Sequence, residues 1–530
     1  MHDIIEKILP SVSKPGRYIG NELNSVHKPH KDKLKFALAY PDTYEIGMSN
    51  LGLQILYHIL NQRPDIVAER FYAPWPDMEE KMKENNIPLF SLESWTPIKT
   101  FDIVGFSIQN ELTYTNVLNM LQVAGLPLMR KDRNNSHPLI IAGGACTNNP
   151  EPLSDFIDAF VIGDGEEVIL EIVDTYKQWK SENIVDADCN RHLRNHLLTA
   201  LSKIPGIYVP DFNEFKDIKR RIVKDLNSID YPASPIVPFI EIVHDRATIE
   251  IMRGCPHRCK FCQAGTVNKP VRMLSPEKVI GLAKETIKNT GFEEVSLVSL
   301  SSSDYPYLYD VAIELGKVFS PKRISLSLPS LRADNLKEEV AKEMLSVRQS
   351  GFTIAPEAGT QRLRDHICKD LTEEKIIDSV KTAIKSGSNR IKLYFMIGLP
   401  TETDEDIKGI VDLAYLLIKE AKAITSRAKI IVNVSTFIPK KNTPFENEKM
   451  IGLDEIKRKQ DYLKNNLRHK SIELKWHDSG MSTIEGLLSM GGKEAGKVLL
   501  KAFESGCRFD NWAEYFDYSK WEKAIAENTA

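Results

Sequence analysis

Three of the chain's seven cysteines fall within eight residues, in the run Cys255-Pro-His-Arg-Cys259-Lys-Phe-Cys262. The spacing is C-x3-C-x2-C. Three thiolates so placed can ligate three irons of a cubane cluster and leave the fourth iron open. An open metal position is what a catalytic centre needs, by the logic that separates catalytic from structural zinc sites. The alternative is structural zinc with His257 as a fourth ligand. Zinc sites usually pair two ligand knuckles across a longer loop, and the next cysteine, Cys368, is over a hundred residues away. His257 also lies between two of the cysteines and would have to bend back onto their metal. The spacing favours the cluster. Seven cysteines, an odd and sparse set in a long chain, argue against a disulfide framework.

A reactive loop needs elements to hold it. LKFALAY (34–40) is a short apolar run followed by an amphipathic stretch from Asn50 to Leu60. Phe101–Ser107 is a buried-type strand with a helical stretch after it to about Ala124, and PLIIAGG (138–144) and DAFVIGDG (158–165) are two more strands ending in glycine. Such alternation predicts a mostly parallel sheet with helices on both faces, and ligands bind beyond the carboxyl ends of its strands. The loops to watch are therefore PDTYEIG, FSIQNE, AGGACTNN and IGDGEE. Residues 186–240 read as a linker, with a small hairpin at GIYVPDF and a solvated basic run, IKRRIVK. From 241 to 446 six strand–helix units are expected, with strands in TIEIMRG, EEVSLVSL, RISLSLP, FTIAPEA, RIKLYFMIGLP and KIIVNVSTFIP. Six units fall short of the eight of a closed barrel, so a curved partial barrel with an open side is expected. Residues 447–530 read as mainly helical. The fold class is α/β.

Bulk properties narrow the function classes. Hydrophobic residues make up 42% and charged residues 27%, the balance of an ordinary soluble protein. A net charge of -3 supplies no overall pull toward nucleic acid, and leaves a small molecule, a peptide or a folded RNA open as substrate. The first residues carry acids and no apolar core of a signal peptide, and no run of about 18 uncharged apolar residues predicts a membrane span. The cytoplasm is the expected compartment. Gly491-Gly-Lys-Glu-Ala-Gly496-Lys497 matches G-x4-G-K, but Val498 replaces the magnesium-binding hydroxyl and no strand precedes it, so a P-loop is rejected.

The cysteine motif with Phe261 before its last cysteine, placed after the first strand of a six-unit barrel, resembles the signature of radical S-adenosylmethionine (SAM) enzymes. Further segments resemble that family in order. Ser302-Ser303-Asp304 takes the place of a Gly-Gly-Glu that receives the methionine amino group, and departs from it. APEAGTQRLR (355–364) resembles the cofactor-binding segment of subfamilies that include the methylthiotransferases, with Glu357 as a polar contact. FMIGLPTET (395–403), with Ile397, resembles the fifth-strand motif that passes the adenine, and FIPKKNTPF (437–445) resembles the sixth. The resemblance implies a [4Fe-4S] cluster on Cys255, Cys259 and Cys262. It also implies reductive cleavage of SAM to a 5′-deoxyadenosyl radical, and a one-electron reductant such as flavodoxin or ferredoxin.

Residues 1–185 resemble the Rossmann-like cobalamin-binding domain joined to a radical barrel in one branch of the family. That domain carries D-x-H-x-x-G, then a serine loop, then a Gly-Gly pair. Here the order is Asp42-Thr-Tyr44-Glu-Ile-Gly47, Ser107, Gly143-Gly144 and Gly163-Asp-Gly-Glu166. Tyr44 stands where the histidine would ligate cobalt, and a phenol with a pKa near 10 is a poor ligand at neutral pH. A bound cobalamin is therefore expected to lack a histidine on its lower face. Some radical enzymes use a late cysteine as hydrogen donor, which makes Cys507 a catalytic candidate beside the plainer reading of a buried small hydrophobe. Cys146 admits a pocket role and the same plain reading. The expected reaction is cobalamin-dependent methyl transfer to an unactivated carbon, with radical ring rearrangement open to the same parts. The alternatives are a methylthiotransferase-like RNA or protein modifier without cobalamin, and a cobalamin or redox sensor without turnover.

Overall fold

The computed structural model describes residues 1–182, 191–329 and 352–529, so the expected boundary at 185/186 lies outside the described residues. The chain divides into two compact units. The first comprises Met1–Lys224, Ser228–Asp245 and Gly491–Ala530; the second comprises Asp225–Asn227 and Arg246–Met490.

The first unit is built on a six-stranded sheet: β1 Leu34–Tyr40, β2 Ile66–Tyr72, β3 Ile103–Ser107, β4 Leu139–Gly143, β5 Ala159–Val161 and β6 Ile207–Tyr208. The spatial order is β2-β1-β3-β4-β5-β6, with the first five parallel and β6 antiparallel to β5. The chain winds outward from β1 to β2 and then reverses to β3. The carboxyl ends of β1 and β3 therefore form the switch point where such sheets bind ligands. Helices cover both faces, so the strands read as near-continuous apolar runs, as parallel strands buried on two sides should.

Two segments outside the expected Rossmann-like stretch join this unit. The helix Arg191–Leu201 and β6, from the span read as a linker, pack Leu197, Leu201, Ile207 and Val209 into the core. Arg194 Nη2 lies 2.7 Å from Asp158 Oδ2, in a buried pair that Arg133 completes. The last forty residues also belong here. Their helix Lys493–Glu504 runs through the G-x4-G-K match, which is therefore helix and no phosphate loop.

The segment after that helix is tied to the helix Tyr114–Val123. Thr115 Oγ1 donates to Asp510 Oδ2 at 2.6 Å, Asn116 Oδ1 accepts from Phe509 N at 2.8 Å, and Asn119 Oδ1 accepts from Arg508 Nε at 2.7 Å. Burial pushes the Asp510 carboxyl up to about 6, against the bonds from Thr115 and Trp521 that favour its anion. The folded state thus holds a proton there that the unfolded chain releases near pH 4. Stability from this group is full below that range, falls as pH rises through about 4–6, and stays low above it. Asp510→Asn is expected to stabilise the protein above pH 7 by of order 1–3 kcal/mol. The gain should shrink toward zero by pH 4, as read by thermal melts across pH.

The second unit begins with β7 Ala247–Glu250 and a short antiparallel pair, β8 Met252–Arg253 with β9 Arg272–Met273. It continues with β10 Glu294–Val298, β11 Ser325–Ser327, β12 Phe352–Glu357, β13 Arg390–Ile397, β14 Lys429–Thr436 and β15 Ile472–Trp476. Among the described residues these form two parallel sheets, β11-β10-β7 and β12-β13-β14-β15. All six expected barrel strands are present, with helices such as Pro276–Thr290, Glu373–Lys385 and Asp404–Ile424 between them. β15 is a seventh parallel strand, pairing Ile430 with Ile472 and Val434 with Trp476, inside the stretch read as helical. Only Ile472 of its five residues is buried, so the alternation that marks β13 is too weak in β15 to announce a strand. No helix among the described residues is long and apolar enough to cross a membrane.

Candidate active site

The cysteine loop leaves β8 at Gly254 and ends where Cys262 caps the helix Gln263–Val267, its Sγ accepting from Gly265 N at 3.3 Å. Cys262 N bonds to Cys259 O at 3.1 Å, and Lys260 N bonds to Ile367 O at 3.0 Å. Phe261 packs against Ala358, Leu363, Ile367, Leu399, Phe437 and Phe445. Those partners come from the loops after β12, β13 and β14, so one aromatic ring fixes the cysteine loop at the carboxyl ends of three strands. A Cβ built at Gly265 would lie 3.4 Å from Cys262 Sγ and 3.9 Å from Cys255 Cβ, so both cysteines lie within ordinary contact distance of that glycine. All three cysteines are half-buried. Burial pushes the Cys262 thiol up, so its ionisation depends on a metal to bind.

Among the described residues no three His, Cys, Asp or Glu side chains converge as ligands of a single ion would. A cubane takes one thiolate per iron, so its ligands surround a volume and do not meet at a point. His257, weighed as a fourth zinc ligand, has its Nε2 2.8 Å from Asp304 Oδ2 on the loop after β10. The donor set fits the cluster.

Two carboxylates reach this region from neighbouring loops. Ser302-Ser303-Asp304 forms a 3-10 turn after β10, in which Ser301 Oγ also donates to Asp304 Oδ2, at 2.6 Å. Glu357 ends β12 with φ +68°, a strained backbone for a residue with a side chain, and strain of this kind gathers at functional sites. Its Oε1 lies 3.2 Å from Lys369 Nζ. Burial raises the Glu357 carboxyl despite the lysine, and its charge in turn raises the Cys262 thiol. The rest of the APEAGTQRLR segment is occupied internally: Thr360 and Arg362 both bond to Asp406, and buried Arg364 donates to Ala358 O at 3.0 Å. Ile397 is buried at the end of β13, and its carbonyl accepts from Phe437 N at 2.8 Å.

In the first unit, Asp42 is 1% exposed and accepts from Thr43 N at 2.7 Å, Asn511 Nδ2 at 2.5 Å and Trp512 Nε1 at 3.0 Å. Burial raises its carboxyl against those bonds. Tyr44 is 2% exposed, donates to Glu22 Oε1 at 2.9 Å and meets the Tyr72 ring edge-on at 5.4 Å. Burial, with Glu22 beside it, drives this phenol far above its usual range. It is a core residue. Gly47 packs on the Tyr72 ring, leaving no room for a Cβ. Ser107 accepts from Gln109 Nε2 at 3.2 Å, and Gly143 is half-buried at the end of β4. Gly144 (φ +106°) and Gly163 (φ +122°) serve close backbone approaches, since a Cβ would lie 2.4 Å from Ile108 O and 2.1 Å from Arg221 O respectively. Glu166 is buried just before the helix Val168–Glu182. This end of the sheet offers backbone and half-exposed Ser107 to a ligand, and no imidazole at position 44. Cys146 and Cys507 are both buried, and burial with Asp510 nearby pushes the Cys507 thiol up to about 12.

The family model for the radical SAM superfamily matches residues 249–414, and that for the N-terminal region of radical SAM proteins matches 52–210. Between them they take in more than half of the chain. The chain belongs to the radical SAM superfamily. An uncharacterised protein of Methanocaldococcus jannaschii is 29% identical over 91% of each chain. A putative methylthiotransferase of the same organism is 21% identical over 68% of this chain and 73% of its own. The methyltransferase TsrM from Kitasatospora setae, solved with cobalamin and a [4Fe-4S] cluster bound, shares the fold with a TM-score of 0.53 at 13% identity, covering 78% of this chain and 77% of its own.

For a radical SAM protein the chemical capacity of this loop set is definite. Three cysteine thiols share one loop, with Asp304 bonded to its His257 and Glu357 close enough to Cys262 to raise its thiol. Sequence reasoning passed over Lys369 as the partner of Glu357, because twelve residues and a helix separate the two and no local pattern joins them. It weighed His257 as a zinc ligand, and no spacing rule pairs a residue of the cysteine loop with one forty-seven positions on.

Proposed function

We propose that this radical SAM protein is a cobalamin-dependent methyltransferase acting on an unactivated carbon. The observation that carries the radical part is the cysteine loop pinned by Phe261 at the strand ends, with Asp304 and Glu357 beside it. The cobalamin part is supported by the switch-point sheet of the first unit and by the fold shared with TsrM. Cys255, Cys259 and Cys262 would hold the cluster, Asp304 would take the methionyl ammonium, and Glu357 would supply a second polar contact to SAM. Phe261 and its apolar neighbours hold the loop in place. With these groups bound, the cluster would supply the electron for reductive cleavage of SAM, and methylcobalamin would supply the methyl group. Tyr44, buried and bonded to Glu22, would supply no metal ligand. A flavodoxin or ferredoxin would deliver the electron.

The test is anaerobic reconstitution of the cluster, addition of hydroxocobalamin, desalting, and measurement of iron, sulfide, cobalt and the visible spectrum. About four irons and one cobalt per chain are expected. Four irons without cobalt would overturn the cobalamin part and leave the radical barrel. The second reading is a methylthiotransferase, favoured by the Methanocaldococcus jannaschii relative. Such an enzyme would normally carry a second cluster, so about eight irons per chain would favour it. Against it, the region before the Cys255 motif holds only Cys146 and Cys189, too few for a second three-cysteine cluster site.

A further inference from the structure

The C-x3-C turn sets His257 against the loop after β10, where its Nε2 lies 2.8 Å from Asp304 Oδ2. Ser301 Oγ donates to the same oxygen at 2.6 Å. The turn that presents Asp304 is itself fixed. Ser302 is fully buried with its hydroxyl 3.0 Å from that of Ser299, and Asp304 N bonds to Ser301 O at 3.1 Å. Both side-chain bonds fall on Oδ2, and among the described residues Oδ1 has no donor. The two side chains are 23% and 19% exposed, so the pair is open to a ligand.

A carboxylate with one oxygen pinned and the other open, beside a thiolate loop, is the complement of a primary ammonium. We infer that His257 is a positioning residue: it holds Asp304 by Oδ2 so that Oδ1 receives the ammonium of the methionyl group of SAM. The imidazole also ties the cysteine loop to the β10 loop, fixing the distance between the cluster and the ammonium site. Outer partners of this kind orient the groups that touch the ligand, and removing them usually costs about 10–100-fold in affinity or activity. The assignment rests on the reading of the cysteine loop as the cluster site.

The test uses the full-length, reconstituted protein, with SAM affinity measured by equilibrium dialysis and the reduced cluster followed by electron paramagnetic resonance. His257→Ala is expected to keep the wild-type iron content while binding SAM about 10–100-fold more weakly, and to lose most of the change that SAM causes in the cluster spectrum. His257→Gln, whose amide nitrogen reaches where the imidazole Nε2 sits, is expected to recover affinity to within about threefold of wild type. Asp304→Asn should weaken SAM binding by itself, and adding His257→Ala to it should cost little more, because the two act as one unit. Wild-type affinity in His257→Ala, additive losses in the double variant, or equal loss of iron from the alanine and glutamine variants would each overturn the assignment and leave the cluster reading intact. A wild-type protein that holds no iron after reconstitution would overturn the cluster reading, and this assignment with it.

Discussion

Cys259→Ala is expected to abolish SAM cleavage, with 5′-deoxyadenosine formation falling to background and iron retention after desalting dropping well below about four per chain. Cys259 sits between the other two cysteines, and its carbonyl accepts from Cys262 N, so on the proposed function its thiol would be one of three cluster ligands on a loop already fixed by other bonds. Backbone bonds at Lys260 and Cys262 and the packing of Phe261 do not involve its side chain. Fold stability should therefore change by less than about 1 kcal/mol, and circular dichroism should match the wild type. The useful comparison is Cys507→Ala. That thiol is buried in the first unit and pushed up to about 12, so its loss should act on packing, at about 1 kcal/mol, and leave SAM cleavage in place. Retention of full cleavage by Cys259→Ala would remove the cluster from this loop altogether.

What could be read in advance depended on whether a signal was local. The cysteine spacing, the six barrel strands and the strand-then-glycine punctuation of the first unit are local, and each appears in the structure where its residues placed it. The pairs that complete the sites are not local. Asp42 meets Asn511 and Trp512 across more than four hundred residues, and Asp304 meets His257 across forty-seven. Thr115, Asn116 and Asn119 put polar atoms on a helix face that a periodicity argument assigns to solvent. They are buried because the segment around Asp510 lies on them. The departure at Tyr44 was visible as a missing histidine. Its reason was not, since the phenol's partner, Glu22, stands twenty-two residues upstream with no motif around it.

That partner leads to the largest stability effect expected in the molecule. Arg70 on β2 is 2% exposed and bridges two buried acids, with Nη2 2.8 Å from Glu22 Oε2 and Nε 2.6 Å from Glu93 Oε1. One arginine cannot fully compensate two carboxylates. Glu22, which burial pushes up, is held below its usual range by the charge of Arg70, whereas burial wins at Glu93 and raises it. Glu22 in turn anchors the Tyr44 hydroxyl, so position 44 is built into the ion network of the core and is unavailable as a metal ligand. Arg70→Met fills similar volume and removes the cation, leaving two buried carboxylates and the tyrosine facing one another. The expected loss is about 3–5 kcal/mol at pH 7, measured by chemical denaturation, because a buried charge stripped of its partner costs more than the pair contributes. In the variant both acids would titrate above their unfolded values, so the folded state would bind more protons than the unfolded one through the mildly acidic range. Stability of Arg70→Met should then rise as pH falls from 7 toward 5, narrowing its deficit. A deficit that stays constant or widens on acidification would mean that the acids are charged and compensated by something other than Arg70.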